Sequence, residues 1–125
     1  MYGAEGVKLK DHRDLDVWNK AMDLVEDIYA LAKQFPQDER YGLTSQLKRA
    51  AVSVPSNIAE GAGRRGPKEF VQFLYISLGS LSEVETQTLL ARRLGFADAI
   101  EHILENIEKI KQMLNGLIRY LESSR

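Results

Sequence analysis

The chain has 125 residues, of which 44% are hydrophobic and 28% charged, and its formal net charge is −1. This length and composition predict one soluble domain with its own core and exclude an intrinsically disordered protein. The absence of cysteine excludes disulfides and thiolate zinc sites, and the near-neutral charge excludes a whole-molecule field that would attract nucleic acid.

Localisation is predicted from the absence of hydrophobic targeting segments. The segment MYGAEGVKLKDHRD lacks the apolar run of a signal peptide, and no later run is long enough to span a membrane. We therefore expect a cytoplasmic protein without a membrane partner. Residues 1–13 are predicted to form a loose N-terminal tail, followed by one helical domain over residues 14–125.

The first predicted helix spans residues 14–35. Its apolar residues recur at steps of three and four in two adjacent rows, which predicts a wide buried face. Pro36 ends the helix because proline disfavours the helical conformation in the residue before it. The two rows are Leu15, Trp18, Met22, Val25, Tyr29 and Ala32, and Val17, Ala21, Leu24, Ile28 and Leu31.

The second predicted helix spans residues 40–63 and contains Pro55. A proline inside a helix removes a backbone donor and crowds the preceding turn, so we predict a kink there. The polar side chains of Ser53, Ser56 and Asn57 are placed to satisfy the freed backbone groups, and Glu60 is assigned a structural ion pair with an arginine, as is Glu83 of the next helix. The core row is Leu43, Leu47, Ala50, Ala51, Val54 and Ile58.

The third predicted helix spans residues 67–94, because Gly66 suits the N-cap and Pro67 the first helical position. Its first half, FVQFLYISLGSL, is apolar almost all round. A helix in a small bundle normally has one polar, solvent-exposed face. Because this helix lacks such a face, it is predicted to pack against a second chain. The candidate oligomer contacts are Phe70, Val71, Phe73, Tyr75 and Leu78.

The fourth predicted helix spans residues 98–123 and has the clearest heptad pattern. Apolar residues at two heptad positions form the seam typical of a bundle helix. The four helices together predict an all-α, antiparallel up-down-up-down four-helix bundle. The seam residues are Ile100, Ile107, Leu114 and Leu121 at one position and Ile103, Ile110 and Leu117 at the other.

The segment GAGRRG, residues 61–66, matches the glycine pattern of a dinucleotide-binding loop. That pattern binds phosphate only when it follows a strand and opens a helix in a parallel sheet. This chain predicts helices and no such strand. We interpret Gly61 and Gly63 as the end of the second helix, in a left-handed conformation, and Gly66 as the start of the third.

Two groups of basic residues are candidate nucleic-acid contacts. Arg64, Arg65 and Lys68 lie at the corner between the second and third helices, at the pole that the bundle topology also gives to Arg13, Arg119 and Arg125. Lys48 and Arg49 lie on the second helix, where a polar stripe could be wet or could line a ring of subunits. The stripe comprises Gln46, Arg49, Ser53, Ser56 and Glu60.

Several blocks resemble one known family. The runs RDLDVWNKAMDLV, GLTSQLKRAAVSVPSNIAEGAGR and EFVQFLYISLGSLSEVET are similar to the bacterial four-helix-bundle proteins encoded in intervening sequences of 23S ribosomal RNA genes, and to the accessory proteins of diversity-generating retroelements. The resemblance implies a homopentameric ring without catalytic activity. For the retroelement relatives it implies contacts with RNA or DNA and with a reverse transcriptase, here through Lys48, Arg49, Arg64 and Arg65.

Four functional hypotheses follow. The first is a non-enzymatic oligomeric scaffold associated with nucleic acid, and the second is an adaptor that binds only protein. A metal-dependent bundle enzyme would need Glu-x-x-His motifs on two helices, whereas His102 is the only histidine in the predicted helices. A nuclease of the HEPN type needs a histidine shortly after an arginine, and neither His12 nor His102 fits. We expect no enzymatic activity, no metal and no cofactor.

Overall fold

The computed structural model describes residues 11–123, which form four α-helices and two short 3₁₀-helices and contain no strand. The 3₁₀-helices span His12–Asp14 and Gln37–Glu39. Residues 1–10, on which most of the predicted N-terminal tail falls, lie outside the described residues. The α-helices are α1 (Asp16–Ala32), α2 (Leu43–Ala62), α3 (Pro67–Arg93) and α4 (Glu101–Ser123).

The helices form an all-α four-helix bundle, which confirms the predicted fold class. Helix α1 packs against α2 and α4, and α3 packs against the same two helices. Each helix therefore contacts the helix that follows it in the chain, as expected when short connections join antiparallel neighbours. The most extensive of these contacts is between α2 and α3.

The predicted core positions of α2 and α4 are confirmed. Every predicted seam residue, from Ile100 just before α4 to Leu121 within it, is at most 4% exposed, and the whole core row of α2 is buried. These helices present one consistently apolar face, so helical periodicity alone identifies the residues that pack together. Burial of this continuous apolar cluster is the main term that stabilises the fold.

The wide buried face predicted for α1 is wrong at two positions. The row that contains Val17 and Ile28 is buried, but Met22 is 39% exposed and Tyr29 is 42% exposed. Helix α1 has bundle neighbours on only two sides, α2 and α4, so only one row points to the centre. The other row lies on the flank of the bundle, and only its end residues, Leu15 and Ala32, are buried.

The structure confirms that Gly63 ends the second helix and that Gly66 precedes the third, but it contradicts the predicted role of Gly61 and the predicted left-handed conformation. Gly61 lies inside α2 and is buried, and Gly63 caps that helix with an ordinary right-handed conformation. Among the described residues, only Gly95 has a positive φ, so the left-handed helix end predicted at Gly61 and Gly63 is wrong. Gly66 is the N-cap of α3 in extended conformation, as predicted.

Close approach of α3 explains the glycine at position 61. A Cβ atom on Gly61 would lie 2.7 Å from the Cβ of Phe73 and 2.9 Å from Cδ1 of Phe70. Contacts this short are repulsive, because carbon atoms pack favourably at about 3.5–4.0 Å. Only a residue without a side chain lets the two helices meet at this point.

Helix α2 continues through Pro55, which is buried. The Asn57 amide donates hydrogen bonds of 2.9 Å to the carbonyl and the hydroxyl of Ser53. Pro55 lacks the N–H that would bond the carbonyl of Ala51, so Asn57 binds a neighbouring turn and not the group that proline leaves free. The kink predicted at Pro55 stays a prediction.

Two serines of α3 are buried against α2. The Ser77 hydroxyl donates a 2.9 Å hydrogen bond to the carbonyl of Val54, and the hydroxyls of Ser53 and Ser80 are 2.8 Å apart. Ser77 is fully buried and Ser80 is 6% exposed. Small polar side chains at these positions allow close packing of the helices, while their hydrogen bonds offset the cost of burying hydroxyl groups.

Candidate functional site

The surface of α1 and α2 contains a groove of about 480 Å³ that combines aromatic rings with cations. Helix α1 contributes one tyrosine, the loop before α2 contributes an arginine and a tyrosine, and the first turns of α2 contribute the remainder. We call it the tyrosine groove. Its lining residues are Tyr29, Arg40, Tyr41, Thr44, Ser45, Lys48, Arg49 and Val52.

Each tyrosine of the groove has a cation over its ring. The Lys48 ammonium lies 4.7 Å from the ring centroid of Tyr29, and the Arg40 guanidinium lies 5.5 Å from that of Tyr41. Both distances are within the range of cation–π attraction. The rings nevertheless remain accessible, because Tyr29 is 42% and Tyr41 87% exposed.

The charge of the groove is uniformly positive. Arg40, Lys48 and Arg49 line it, and none of its lining residues is acidic. Within residues 11–123 none of these three cations forms an ion pair, and the Arg49 guanidinium instead donates a 2.9 Å hydrogen bond to Oγ of Ser45. Three cations that form no ion pair within the described residues make this groove a local site for an anion, although the whole chain is nearly neutral.

The second predicted basic group lies at the α2–α3 corner. Arg64 is ion-paired with Glu60 at 3.0 Å and lies 4.9 Å over the ring of Phe73. Arg65 and Lys68 are exposed. At about 1.5 Å per residue, the end of α2 is about 20 Å from Arg49, which is beyond the screening length at physiological salt. The two groups therefore act as separate patches.

Another cation of the same pole is also neutralised. Arg13 forms a 2.6 Å ion pair with Asp11, whose side chain also accepts a hydrogen bond from the backbone N–H of Arg13. The hydrogen bond from the Arg13 side chain, followed by that from its backbone, lowers the pKa of Asp11 to about 2. Arg125, the terminal member of the predicted basic pole, lies outside the described residues.

A second groove of about 330 Å³ separates the exposed edges of α2 and α3. It contains Gln46, Arg49 and Ser53 of the predicted polar stripe, together with Glu83 from α3. Here the arginine is matched by a carboxylate, so the groove has no excess of positive charge. This groove is a less favourable anion site than the tyrosine groove.

Helix α3 buries apolar residues in the core but also buries three polar ones and exposes several apolar ones. Of the predicted oligomer contacts, Phe70 is 5% and Val71 6% exposed, and Phe73 and Leu78 are half-buried within the single chain. Packing inside the bundle thus accounts for the apolar character of these four positions without a second copy. Tyr75 and its neighbour Ile76, by contrast, are 54% and 50% exposed.

Residues 11–123 contain neither a cluster of metal-ligand side chains nor a membrane-spanning helix. No three histidine, cysteine, aspartate or glutamate side chains of this part of the chain are grouped so that they could hold a metal ion. His102 lies exposed in the first turn of α4. None of the described helices has the length and hydropathy needed to cross a bilayer.

Of the aromatic and cationic residues that line the tyrosine groove, three were not identified from the sequence: Tyr29, Arg40 and Tyr41. Tyr29 belongs to an apolar row with helical spacing, so the sequence predicted that it is buried. Arg40 and Tyr41 lie in the loop before α2, where helical periodicity gives no information. Only the packing of α1 against α2 brings these residues next to Lys48 and Arg49. The only sequence signal for these three residues was the adjacent arginine and tyrosine, Arg40 and Tyr41, in the run DERYG.

Comparison with known proteins places the chain in a family. The family model described as 23S rRNA-intervening sequence protein matches residues 13–116, which include α1, α2, α3 and most of α4. No curated protein sequence matches the chain. Since the match covers most of the chain, the protein belongs to the 23S rRNA-intervening sequence protein family.

Proposed function

We propose that the protein is a non-enzymatic, homo-oligomeric scaffold that binds nucleic acid through the tyrosine groove. The observation that carries this proposal is the convergence of Arg40, Lys48 and Arg49 around two exposed tyrosine rings with no carboxylate in the lining. Cations that contact phosphates release counterions from the polyanion, and this release drives binding. A local patch is sufficient even in a chain of net charge −1.

The tyrosine groove is favoured over the α2–α3 corner as the binding site. At the corner, Glu60 already neutralises Arg64, so a phosphate would have to compete with a carboxylate. Arg65 and Lys68 extend into solvent from a turn and the first residues of α3. Of the predicted nucleic-acid contacts, Lys48 and Arg49 therefore belong to the proposed site, while Arg64, Arg65 and Lys68 serve as its control.

Self-assembly is the second part of the proposal. Tyr75 and Ile76 expose apolar surface on the outer side of α3, and Leu90 and Leu94 do so near its C-terminal end. Ile76 and Leu94 are 18 residues apart, which is five complete turns, so they project from the same side of the helix. Exposed apolar surface of this kind is typical of subunit contacts. A ring of five copies is the number that the family resemblance implies.

The binding test compares two triple variants that remove the same charge. In one, Arg40, Lys48 and Arg49 become alanine, and in the other, Arg64, Arg65 and Lys68 become alanine. Affinity for RNA and DNA oligonucleotides is measured by filter binding across a salt series. We expect the groove variant to bind more weakly and to lose roughly 2 to 3 units of salt slope, since each phosphate contact contributes roughly 0.7 to 0.9.

The control variant is expected to keep the wild-type affinity and salt slope. Far-ultraviolet circular dichroism of both variants checks that the bundle is folded. The nucleic-acid proposal is abandoned if the wild-type protein binds no oligonucleotide at low salt. Equal losses in the two variants would contradict the assignment to the tyrosine groove.

A protein-only adaptor is the alternative function, and the exposed apolar residues of α3 favour it. An adaptor would bind its partner through surface such as Tyr75 and Ile76 without nucleic acid. A reverse transcriptase is the partner class that the resemblance to retroelement accessory proteins implies. Affinity purification with and without nuclease separates the two functions, because partners of an adaptor survive nuclease treatment and partners bridged by nucleic acid do not.

A further inference from the structure

We propose that the tyrosine groove binds single-stranded nucleic acid, with bases stacked on Tyr29 and Tyr41 and phosphates on the surrounding cations. This inference rests on the proposed function and specifies the class of nucleic acid that the site takes. It concerns the rings of the groove and not only its charge, so it can fail while the general proposal stands.

Tyr41 is the clearest stacking surface of the groove. It is 87% exposed, the highest value among the exposed large hydrophobic residues of the described chain. The Arg40 guanidinium lies 5.5 Å from the ring centroid, and most of the ring remains open to solvent. Aromatic rings next to cations are the elements from which single-strand binding surfaces are built, because every base offers a π-face.

Tyr29 repeats this arrangement in the same groove. Its ring is 42% exposed, and the Lys48 ammonium lies 4.7 Å from its centroid. The second ring lies on α1, whereas Tyr41 lies in the loop before α2. Two separate ring-and-cation pairs therefore line one groove, which suits two bases of the same strand with their phosphates towards the cations.

The size and chemistry of the groove disfavour a duplex. Its volume of about 480 Å³ is in the range of small-ligand sites, roughly 300–1,000 Å³, and is suited to nucleotides that enter individually. Bases in a duplex are stacked on each other and cannot reach a ring on a groove wall, so a duplex would contact only the cations. A site for duplex phosphates would not need two exposed tyrosines.

The test uses the full chain and four fluorescent probes in an anisotropy titration at several salt concentrations. The probes are oligouridylate, oligothymidylate and duplex DNA, each of about 15 nucleotides or base pairs, which is near the upper site size of single-strand binders, and polyglutamate. We expect both single strands to bind at least about tenfold more tightly than the duplex, and polyglutamate more weakly still. The RNA and DNA probes report which sugar is preferred.

Variants of Tyr41 separate stacking from charge. Tyr41→Leu keeps apolar bulk but removes the ring and is expected to weaken single-strand binding by roughly 5- to 150-fold, the loss typical of one stacked base. The salt slope should not change, because no phosphate contact is lost. Tyr41→Phe keeps the ring and is expected to bind like the wild type.

The outcomes distinguish the two proposals. Equal affinity for duplex and single strands, with no effect of Tyr41→Leu, would overturn the stacking inference. The proposed function would still stand in that case if nucleic-acid binding depended on Lys48 and Arg49. Polyglutamate binding as tight as oligouridylate would indicate a site for acidic protein segments and would also overturn the inference. No binding to any nucleic acid would overturn both proposals.

Discussion

Gly61 of α2 lies so close to Phe73 of α3 that a Cβ atom on the glycine would stand 2.7 Å from the Cβ of the phenylalanine. The nearest atoms are the Cβ of Phe73 and a ring atom of Phe70, whose own position is set by the core. A Gly61→Ala change therefore forces α2 and α3 apart. We expect a loss of about 1–3 kcal/mol in the free energy of unfolding, as for overpacked cores, measured by urea denaturation.

Gly79→Ala is the matched control for that prediction. Gly79 also lies inside a helix, but a Cβ placed there has no atom within 4 Å. Alanine restricts the unfolded chain more than glycine does, so this variant is expected to gain about 0.5–1 kcal/mol of stability. A Gly61→Ala protein as stable as Gly79→Ala would show that the helices can separate without cost.

The hydroxyl pair of Ser53 and Ser80 predicts coupled effects on stability. Ser80→Ala removes the hydrogen bond between the two hydroxyls, whereas Ser53→Ala removes that bond and the one donated by the Asn57 amide. We expect each single change to cost about 1 kcal/mol. The double variant should cost less than the sum of the singles, with a coupling of about 0.5–1 kcal/mol. Urea denaturation of the four proteins measures this coupling, and strictly additive losses would contradict the pair.

The outer face of α3 predicts a change of assembly. Ile76→Glu places a charge on the exposed apolar surface and, if the chain forms the proposed oligomer, is expected to convert it to monomer, as measured by size-exclusion chromatography with light scattering. Met22→Glu is the control, because Met22 is an exposed apolar residue of α1 with 39% exposure. A wild-type protein that is monomeric at high concentration, or an oligomer that tolerates Ile76→Glu, would contradict the proposed contact.

The ion pair of Asp11 and Arg13 predicts a local dependence on pH. The pKa of Asp11 is lowered from 3.8 to about 2 in the folded protein, so the stabilisation of the His12–Asp14 turn is complete above pH 3.8. It is lost as pH falls towards 2 and the carboxylate is protonated. Titration by NMR should find this low pKa, and Arg13→Ala should raise it towards the ordinary value. An unchanged pKa in the variant would contradict the assignment.

Much of the fold could be predicted from periodicity. The heptads of α4 and the core row of α2 identify residues that are all buried, because each helix has a single apolar face that must turn inward. Helix α1 was less predictable, since it has two apolar rows and the bundle buries only one along its full length. Helix α3 was the least predictable. Its buried Ser77 and Ser80 form hydrogen bonds with α2, whereas the apolar Tyr75 and Ile76 lie on the exposed side.

The sequence by itself determined that the chain forms four helices around one apolar core, and that Lys48 and Arg49 lie away from it. Only the tertiary structure decided that Tyr29 is exposed, that it meets Arg40 and Tyr41 in one groove, and that Gly61 is needed for helix contact and not for a turn. The physical reason is that periodicity determines which residues share a face of one helix. The distance and direction of the neighbouring helices decide whether that face is buried, exposed or part of a groove.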